Sequence, residues 1–276
     1  MGVEVILSGA EYETLKGILG NGGAVLSLQE AVQIYGQWNG KAASSYHVNG
    51  RRIGFTSTSV YNDVKEYDNA VALQPELSNA SLDIVSSSAS DAGAGTGIQS
   101  VKVVYIDINN NMVESSPITL NGVTPVANVL TGVNAVQWME TYTAGTGTVA
   151  AGNVRLRLNG TTTEVEQITA GFNHSVSARF MIPAGYSGYL TQWTALAIGN
   201  PMDCRLRATV DPFNRSLNAN YLLVDNLWVG AGAGLLDDLL FLKCPALTKL
   251  KGAVIAGGTG NTNRVDVSFD LVLIQN

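Results

Sequence analysis

The first stretch whose residue types suggest chemistry is residues 107–114, with the sequence DINNNMVE. Asp107 and the two Asn residues at alternate positions after it have the first three ligand spacings of a calcium-binding loop. The sixth position of such a loop needs Gly and is Met112, and the twelfth needs Glu and is Ile118. We therefore expect a plain turn, in which Asn supplies the positive φ of a tight reversal.

The second candidate is residues 91–97, DAGAGTG, which resemble a phosphate-binding loop in their glycine content. A true loop of that kind is followed by Gly-Lys and then Ser or Thr, and it leads into a helix whose N-terminal amides bind the phosphate. No such motif follows here, and the run from Val101 onward predicts a strand. The composition of residues 86–97 is typical of a flexible loop.

The chain contains two histidines, His47 and His174, and two cysteines, Cys204 and Cys244. Neither histidine has a companion at a metal-ligand spacing, so each is expected on the surface or in a turn. Two cysteines are too few for a four-thiolate zinc site or a disulfide scaffold. They could pair with each other, but two free, buried thiols are the expected state.

Carboxylates occur as neighbours at residues 237–238 and as a spaced pair at Glu164 and Glu166. Two carboxylates can act as acid and base in glycoside hydrolysis, but pairs in a sequence are usually solvated strand edges. The chain has no Gly-x-Ser-x-Gly nucleophile motif. We expect a non-enzymatic protein with no catalytic, cofactor-binding or metal-binding residues; polysaccharide hydrolysis has no support in the sequence but stays open.

The aromatic residues have two interpretations. Four tryptophans and ten tyrosines could include a platform on which sugars stack. Packing in the core or in a subunit interface is the expected role of each tryptophan, and these are Trp38, Trp138, Trp193 and Trp228. Trp193 and Trp228 lie in predicted strands, which favours the core for both.

The charge content points to assembly. Charged residues make up 14% of the 276 residues, whereas roughly 25% is usual for a soluble protein. The 16 basic and 22 acidic side chains would leave about one charge per 300 Å² on a monomer that exposes on the order of 11,000 Å². We therefore expect other subunits to cover part of the surface; a monomer solvated by neutral polar residues is the alternative. The net charge of -6 argues against nucleic acid as a partner.

Helix signals are confined to the first forty residues. Ser8 with Glu11, and Ser27 with Glu30, form two capping boxes, and the second helix is closed by Asn-Gly at residues 39–40. These signals predict a short helical N-terminal arm over residues 1–45. Neither helix is long enough to be stable alone, so the arm must dock on the β domain, a neighbouring subunit or a larger partner. No signal peptide and no membrane span are expected.

From residue 46 onward, short apolar runs alternate with turn residues. The Asn-Gly pair at residues 49–50 is a hairpin signal. Residues 91–122 predict a hairpin around the Asn-rich turn, and residues 154–168 predict another around a second Asn-Gly pair. The last run, residues 264–276, alternates so regularly that one buried face is expected.

Eight or more strands of this kind predict a mainly β fold over residues 46–276. An antiparallel double-sheet sandwich is the expected architecture, with a jelly roll as its preferred version.

A set of turn and strand segments in this chain occurs in a characteristic order. The segments are YHVNGRRIGF, DAGAGTG, VKVVYIDINNNMVESSPITLNGVTPV, RFMIPAGYSGYL and RVDVSFDLVLIQN. In this order they resemble a family of virion structural proteins of tailed bacteriophages. The likeness covers residues 46–276 and does not include the helical N-terminus.

The resemblance implies a virion protein of the head or tail, assembled in the host cytoplasm. The preferred role is a capsid cement or decoration protein, a homotrimer that bridges subunits of the major capsid protein. The alternative is a tail or fibre-associated protein whose exposed aromatic residues bind host glycans. Neither nucleic acid nor a membrane nor a cofactor is expected as a partner in these roles.

Overall fold

The computed structural model describes residues 28–54, 58, 60–66, 75–210, 221–230, 232–258 and 263–276. Within these residues the chain forms one α-helix and seventeen β-strands. Every strand pairing is antiparallel. The prediction of a mainly β protein with antiparallel sheets is therefore confirmed. None of the helical structure in these ranges is long and apolar enough to cross a membrane.

The helix, α1, spans Leu28–Trp38. The strands are β1 (Ala43–Ile53), β2 (Asn62–Asp63), β3 (Ala80–Ser86), β4 (Ile98–Ile106), β5 (Met112–Glu114), β6 (Ile118–Thr119), β7 (Val126–Val133), β8 (Ala135–Ala144), β9 (Val154–Leu158), β10 (Glu164–Ile168), β11 (Arg179–Met181), β12 (Tyr186–Gly199), β13 (Met202–Ala208), β14 (Leu222–Val229), β15 (Gly232–Cys244), β16 (Lys249–Ala256) and β17 (Arg264–Gln275).

These strands form four small sheets. Sheet I has the order β1-β17-β12-β15, and sheet II has the order β11-β16-β13-β14 with β2 beside β16. Sheet III has the order β10-β9-β3-β7. In sheet IV, β4 pairs with β8 on one side and with the short strands β5 and β6 on the other.

Sheets I and II share one apolar cluster, which we call core one. Trp193 and Phe269 of sheet I and Phe180 of sheet II are its largest side chains, and all three are buried. The regular alternation predicted for the last strand is confirmed, because every second residue of β17 from Val265 to Leu273 lies in this core. Core one therefore unites strands from both ends of the described chain.

Sheets III and IV share a second apolar cluster, core two. Leu82 and Ile84 come from sheet III, and Ile98, Val103 and Met139 come from sheet IV. All members of this cluster lie between Leu77 and Phe172. Core two is therefore built from one continuous stretch of chain.

The chain enters and leaves core two through two segments that lie side by side. The Val64 carbonyl accepts a hydrogen bond from the Ala178 amide at 2.9 Å, and the Glu66 amide donates to the Val176 carbonyl at 3.0 Å. Lys65 and Ser177 form an antiparallel bridge between these contacts. Core two is thus an insertion in the strands of core one.

This arrangement differs from the expected architecture. The predicted sandwich has two sheets, whereas the described strands form four sheets around two cores, and neither that sandwich nor the jelly-roll topology is confirmed. Alternating hydrophobicity predicts where strands are, but it does not predict which distant strands pair. The boundaries at residues 1–45 and 46–276 stay predictions.

Helix α1 is the second of the two predicted helices. It ends as predicted, with Gly40 at φ +69°, and the Lys41 amide donates to the Gly36 carbonyl at 3.1 Å. Val32 packs on Ile274 and its neighbours, so the end of β17 is buried on both faces. The first predicted helix lies outside the described residues, and a helical arm over residues 1–45 is not shown.

The hairpin predicted at residues 49–50 is wrong, because β1 continues through both residues in register with β17. Gly50 serves a close contact here. A Cβ atom at this position would lie 2.2 Å from the Ala178 amide nitrogen and 2.7 Å from the Val64 carbonyl oxygen. Glycine is therefore needed where β1 meets the two segments that connect the cores.

The other two hairpins are confirmed. β4 pairs with β5 and β6 across the Asn-rich turn, and β9 pairs with β10 across a turn in which Gly160 has φ +73°. Strands β15 and β16 were not predicted from the sequence pattern.

Candidate functional site

Asp107, the first residue of the calcium-like loop, is used by the turn that it begins. Its Oδ1 atom accepts hydrogen bonds from the amides of Asn109 at 2.9 Å and Asn111 at 2.8 Å. Asn110 has φ +64°, as expected of an Asn in a tight reversal. The residues therefore form the predicted turn.

The glycine-rich loop is organised by the buried carboxylate of Asp91. Its Oδ1 atom accepts from the amides of Ile98 and Ala151, both at 2.9 Å. Its Oδ2 atom accepts from the Gly152 amide at 2.8 Å and the Ser86 hydroxyl at 2.6 Å. The loop predicted to be flexible is thus tied to β3, to β4 and to the segment that precedes β9.

The spaced carboxylates Glu164 and Glu166 are not a solvated edge. Glu164 forms an ion pair with Arg155 at 2.9 Å, but Glu166 is completely buried. Its Oε1 atom accepts a hydrogen bond from the Ser177 hydroxyl at 2.8 Å. Burial raises the pKa of Glu166, although Arg179 nearby and this hydrogen bond oppose the rise.

Glu166 belongs to a polar junction between the two cores, together with Arg52, Asp63, Lys65 and Lys251. All of them are buried, and Lys251 forms an ion pair with Asp63 at 3.1 Å. Burial, with the Arg52 charge beside it, lowers the pKa of Lys65 to about 8. This junction connects strands of the two cores, and the sequence pattern did not predict it.

The two histidines, isolated in the sequence, line one groove. This β1–β8 groove has a volume of about 360 Å³. It is lined by residues 45–49 of β1, by Gln137, Trp138 and Glu140 of β8, and by His174, Ser175, Ser177, Arg179 and Phe180. Both histidines are exposed, as predicted, and the His47 Nδ1 atom lies 2.6 Å from Asp270 Oδ1.

The cysteines are free and buried, as expected. Cys204 and Cys244 both belong to core one. Burial raises the pKa of each thiol to about 12.

The tryptophans divide between buried and exposed positions. Trp193 is completely buried in core one, as predicted. Trp138 is partly buried and lines the β1–β8 groove. The core position predicted for Trp228 is wrong, because 59% of this residue is exposed. The side chain of Trp38 and those of residues 237–238 lie outside the described part of the structure.

Trp228 lies on β14, which forms the open edge of sheet II. Among the described strands β14 pairs with β13 alone, and the next strand, β15, pairs with β12 alone at the edge of sheet I. The sequence of β14, LLVDNLWV, contains one charged residue and no Lys or Pro, and Leu223 on it is 42% exposed. The ladder from Asp225 to Val229 is uninterrupted.

The outer face of sheet II beside this edge carries aromatic and charged side chains. The Tyr61 hydroxyl donates to Asp203, which lies directly across the ladder from Trp228. The Arg205 guanidinium stacks 4.0 Å from the Tyr61 ring centroid. Burial and the hydrogen bond to Asp203 raise the pKa of Tyr61 to about 12. This face and the β14 edge together form a surface suited to a protein contact.

No protein-family model matches the chain, and no curated protein matches it. Among solved structures, a chain of the infectious bursal disease virus Gx strain is 12% identical over 86% of this chain and 72% of that chain, with a TM-score of 0.16. The VP2 subviral particle of the same virus gives 11% identity over 85% of this chain and 75% of that chain, with a TM-score of 0.17. Similarity at these scores defines neither fold nor function.

Proposed function

We propose that this protein is a non-enzymatic structural subunit of a virion and that it assembles through the β14 edge. The observation that carries the proposal is the composition of the exposed strand β14, which is eight residues long, is nearly uncharged and carries an exposed tryptophan. Soluble monomers normally protect such edges with Lys, Pro or short strands, because an open apolar edge pairs with other chains. A subunit contact gives this edge a function.

The composition supports the same proposal. Only 14% of the residues are charged, so the chain has few of the side chains whose charge keeps a protein soluble and monomeric. Several charged side chains are also paired inside the molecule, as in the buried ion pair of Asp63 and Lys251. The surface left to solvent is therefore poor in charge, as expected of a subunit surrounded by other subunits.

Within the virion, we propose the role of a capsid cement or decoration protein that forms a homotrimer and bridges major capsid subunits. The resemblance of residues 46–276 to tailed-phage virion proteins supports this role. The alternative place, on the tail or a fibre, would use the same edge for assembly but would leave other surfaces free for host receptors.

The assembly test is sedimentation velocity on the purified full chain. We expect an oligomer, with three copies as the favoured stoichiometry, and we expect Trp228→Lys to shift it to monomer. Val123→Lys is the matched control, because Val123 is also 59% exposed but lies outside sheets I and II. A wild-type monomer at all concentrations, or equal effects of both substitutions, would contradict assembly through β14.

The place in the virion is tested by labelling purified particles with a gold-conjugated antibody against this protein and imaging them. Many labelled sites over the head are expected for a cement protein. Label restricted to the tail would overturn the cement role, and particles without label would overturn the virion assignment.

A further inference from the structure

The β1–β8 groove opens where β1 parts from the connecting segments. Gly50 is in contact with Ala178, but from Ser45 to Asn49 the described strands pair with β1 only on its β17 side. The free side of this part of β1 forms one wall of the groove. The main-chain groups of that wall are available to a ligand.

The opposite wall places three side chains in a defined relation. Glu140 and His174 are directly opposed in an antiparallel bridge, so their side chains project to the same side. Trp138 precedes Glu140 by two residues on β8 and therefore shares that side, while Met139 between them points into core two. An aromatic ring, a carboxylate and an imidazole thus line the groove together.

Aromatic rings form the apolar part of the groove. The ring centroids of Tyr46 and Trp138 are 6.1 Å apart, with the rings inclined at 47°. The Phe180 ring lies 5.2 Å from that of Tyr46 between centroids. Tyr46 belongs to sheet I and Trp138 to sheet IV, and both pack against core one, so their spacing depends on how sheet IV packs against that core.

The polar groups around these rings include both donors and acceptors. Glu140 can accept hydrogen bonds, Asn49 can donate and accept, and the imidazoles of His47 and His174 can do either. Arg179, held by a hydrogen bond from its Nε atom to the Val136 carbonyl at 3.1 Å, adds a positive charge to a lining that also contains the negative charge of Glu140. The groove therefore has no dominant charge.

We propose that the β1–β8 groove is a binding site for a neutral saccharide. A sugar ring presents an apolar face of C–H groups, which an aromatic ring can cover, and an edge of hydroxyl groups that both donate and accept hydrogen bonds. The volume of about 360 Å³ lies in the range of roughly 300–1,000 Å³ typical of small-ligand sites. This inference does not depend on the proposed place in a virion.

Other ligand classes fit the groove less well. A nucleic acid would require a cluster of basic side chains, and the lining has Arg179 balanced by Glu140. A purely apolar ligand would offer no hydrogen-bonding groups to Glu140 and His174. An extended peptide that adds to the β1 edge is the strongest competitor, because it would use the same free main-chain groups.

The test is binding of the full-length protein to an array of neutral oligosaccharides built from hexose and N-acetylhexosamine units, followed by calorimetric titration of the best binder. We expect Glu140→Ala and His174→Ala each to weaken binding about tenfold, because each removes a polar partner of the sugar hydroxyls. Both residues are exposed, so neither substitution should disturb folding, which thermal unfolding would verify.

Tyr142→Ala is the matched control, since it removes an exposed aromatic side chain of the same strand, β8, outside the groove, and it should leave the affinity unchanged. The proposal is overturned if no oligosaccharide binds, or if Glu140→Ala and His174→Ala bind as tightly as the wild type. A peptide library that binds in the groove, with no oligosaccharide able to compete, would assign the site to peptides and would equally overturn it.

Discussion

The side-chain amide of Gln137 pairs with the main chain of Met181 as a neighbouring strand would. Its Nε2 atom donates to the Met181 carbonyl at 2.6 Å, and its Oε1 atom accepts from the Met181 amide at 2.9 Å. Gln137 lies on β8 of sheet IV and Met181 on β11 of sheet II. One buried side chain therefore connects the sheets of the two cores.

Replacing this side chain should weaken the connection. We expect Gln137→Ala to lower the free energy of unfolding by about 2–3 kcal/mol, because it leaves a buried amide and a buried carbonyl of Met181 without their partner. Denaturant unfolding followed by fluorescence would measure the change. Gln275→Ala, at an exposed glutamine, serves as control, and an equally stable Gln137→Ala would refute the linking role.

The Asp91 carboxylate should be essential to the glycine-rich loop. Asp91→Asn keeps the size of the side chain but turns one acceptor into a donor that faces main-chain amides. We expect it to cost about 3 kcal/mol in equilibrium unfolding, because hydrogen bonds to a buried charge are lost.

Asp107→Asn is the comparison for Asp91→Asn. Asparagine also accepts hydrogen bonds in this kind of turn, so a loss under about 0.5 kcal/mol is expected. Similar losses for the two variants would show that Asp91 is not the organising residue.

Gly50 should resist substitution although it lies inside a strand. Gly50→Ala would place a methyl group against the Ala178 amide, and we expect it to lower unfolding stability by about 2–3 kcal/mol. Gly230→Ala, where a Cβ atom meets no neighbour within 4 Å, should be tolerated. Thermal unfolding of both variants decides the matter, and a Gly50→Ala protein as stable as Gly230→Ala would contradict the close-contact role.

The buried Lys65 should make stability depend on alkaline pH. Its pKa falls from 10.5 to about 8 on folding, so its charge costs stability below pH 8, where both states hold the proton. Between about pH 8 and 10.5 the unfolded chain binds more protons, and stability should rise with pH. Relative to Lys65→Met, the wild type should gain about 2 kcal/mol between pH near 7 and pH near 9.5.

The comparison with Lys65→Met removes the influence of the other groups that titrate in this range, including the two buried thiols. Lys41→Met, at an exposed lysine, should retain the pH dependence of the wild type. If the wild type and Lys65→Met change in parallel with pH, Lys65 is not the source.

Local features of this fold could be predicted from the sequence. The left-handed φ of Asn110 and the turn at Gly160 follow from residue type, and the alternation of β17 predicts its buried face. The predictions that were wrong concern contacts between distant residues. The sequence around Gly50 is typical of a turn, and the contact with Ala178 explains why a strand has glycine there. The sequence around Trp228 is typical of a core strand, and the position of β14 at a sheet edge explains its exposure.

The candidate sites were harder to predict from the sequence for the same reason. His47 and His174 have no sequence relation that a motif could capture, and they line one groove because β1 lies opposite β8, to which His174 is bridged at Glu140. Glu166 is an apparent surface residue whose burial depends on the two connecting segments. Such relations follow from sheet pairing, which single-chain periodicity does not specify.

The insertion of core two into core one has a consequence for biosynthesis. Core two is one continuous stretch between Leu77 and Phe172, so its sheets can form while the remaining residues are still being translated. β1 is made early, but its pairing partner along its full length is β17. During synthesis, the main-chain groups of β1 therefore have no partner strand until residues 264–275 leave the ribosome. In this interval the nascent chain is exposed to misassembly.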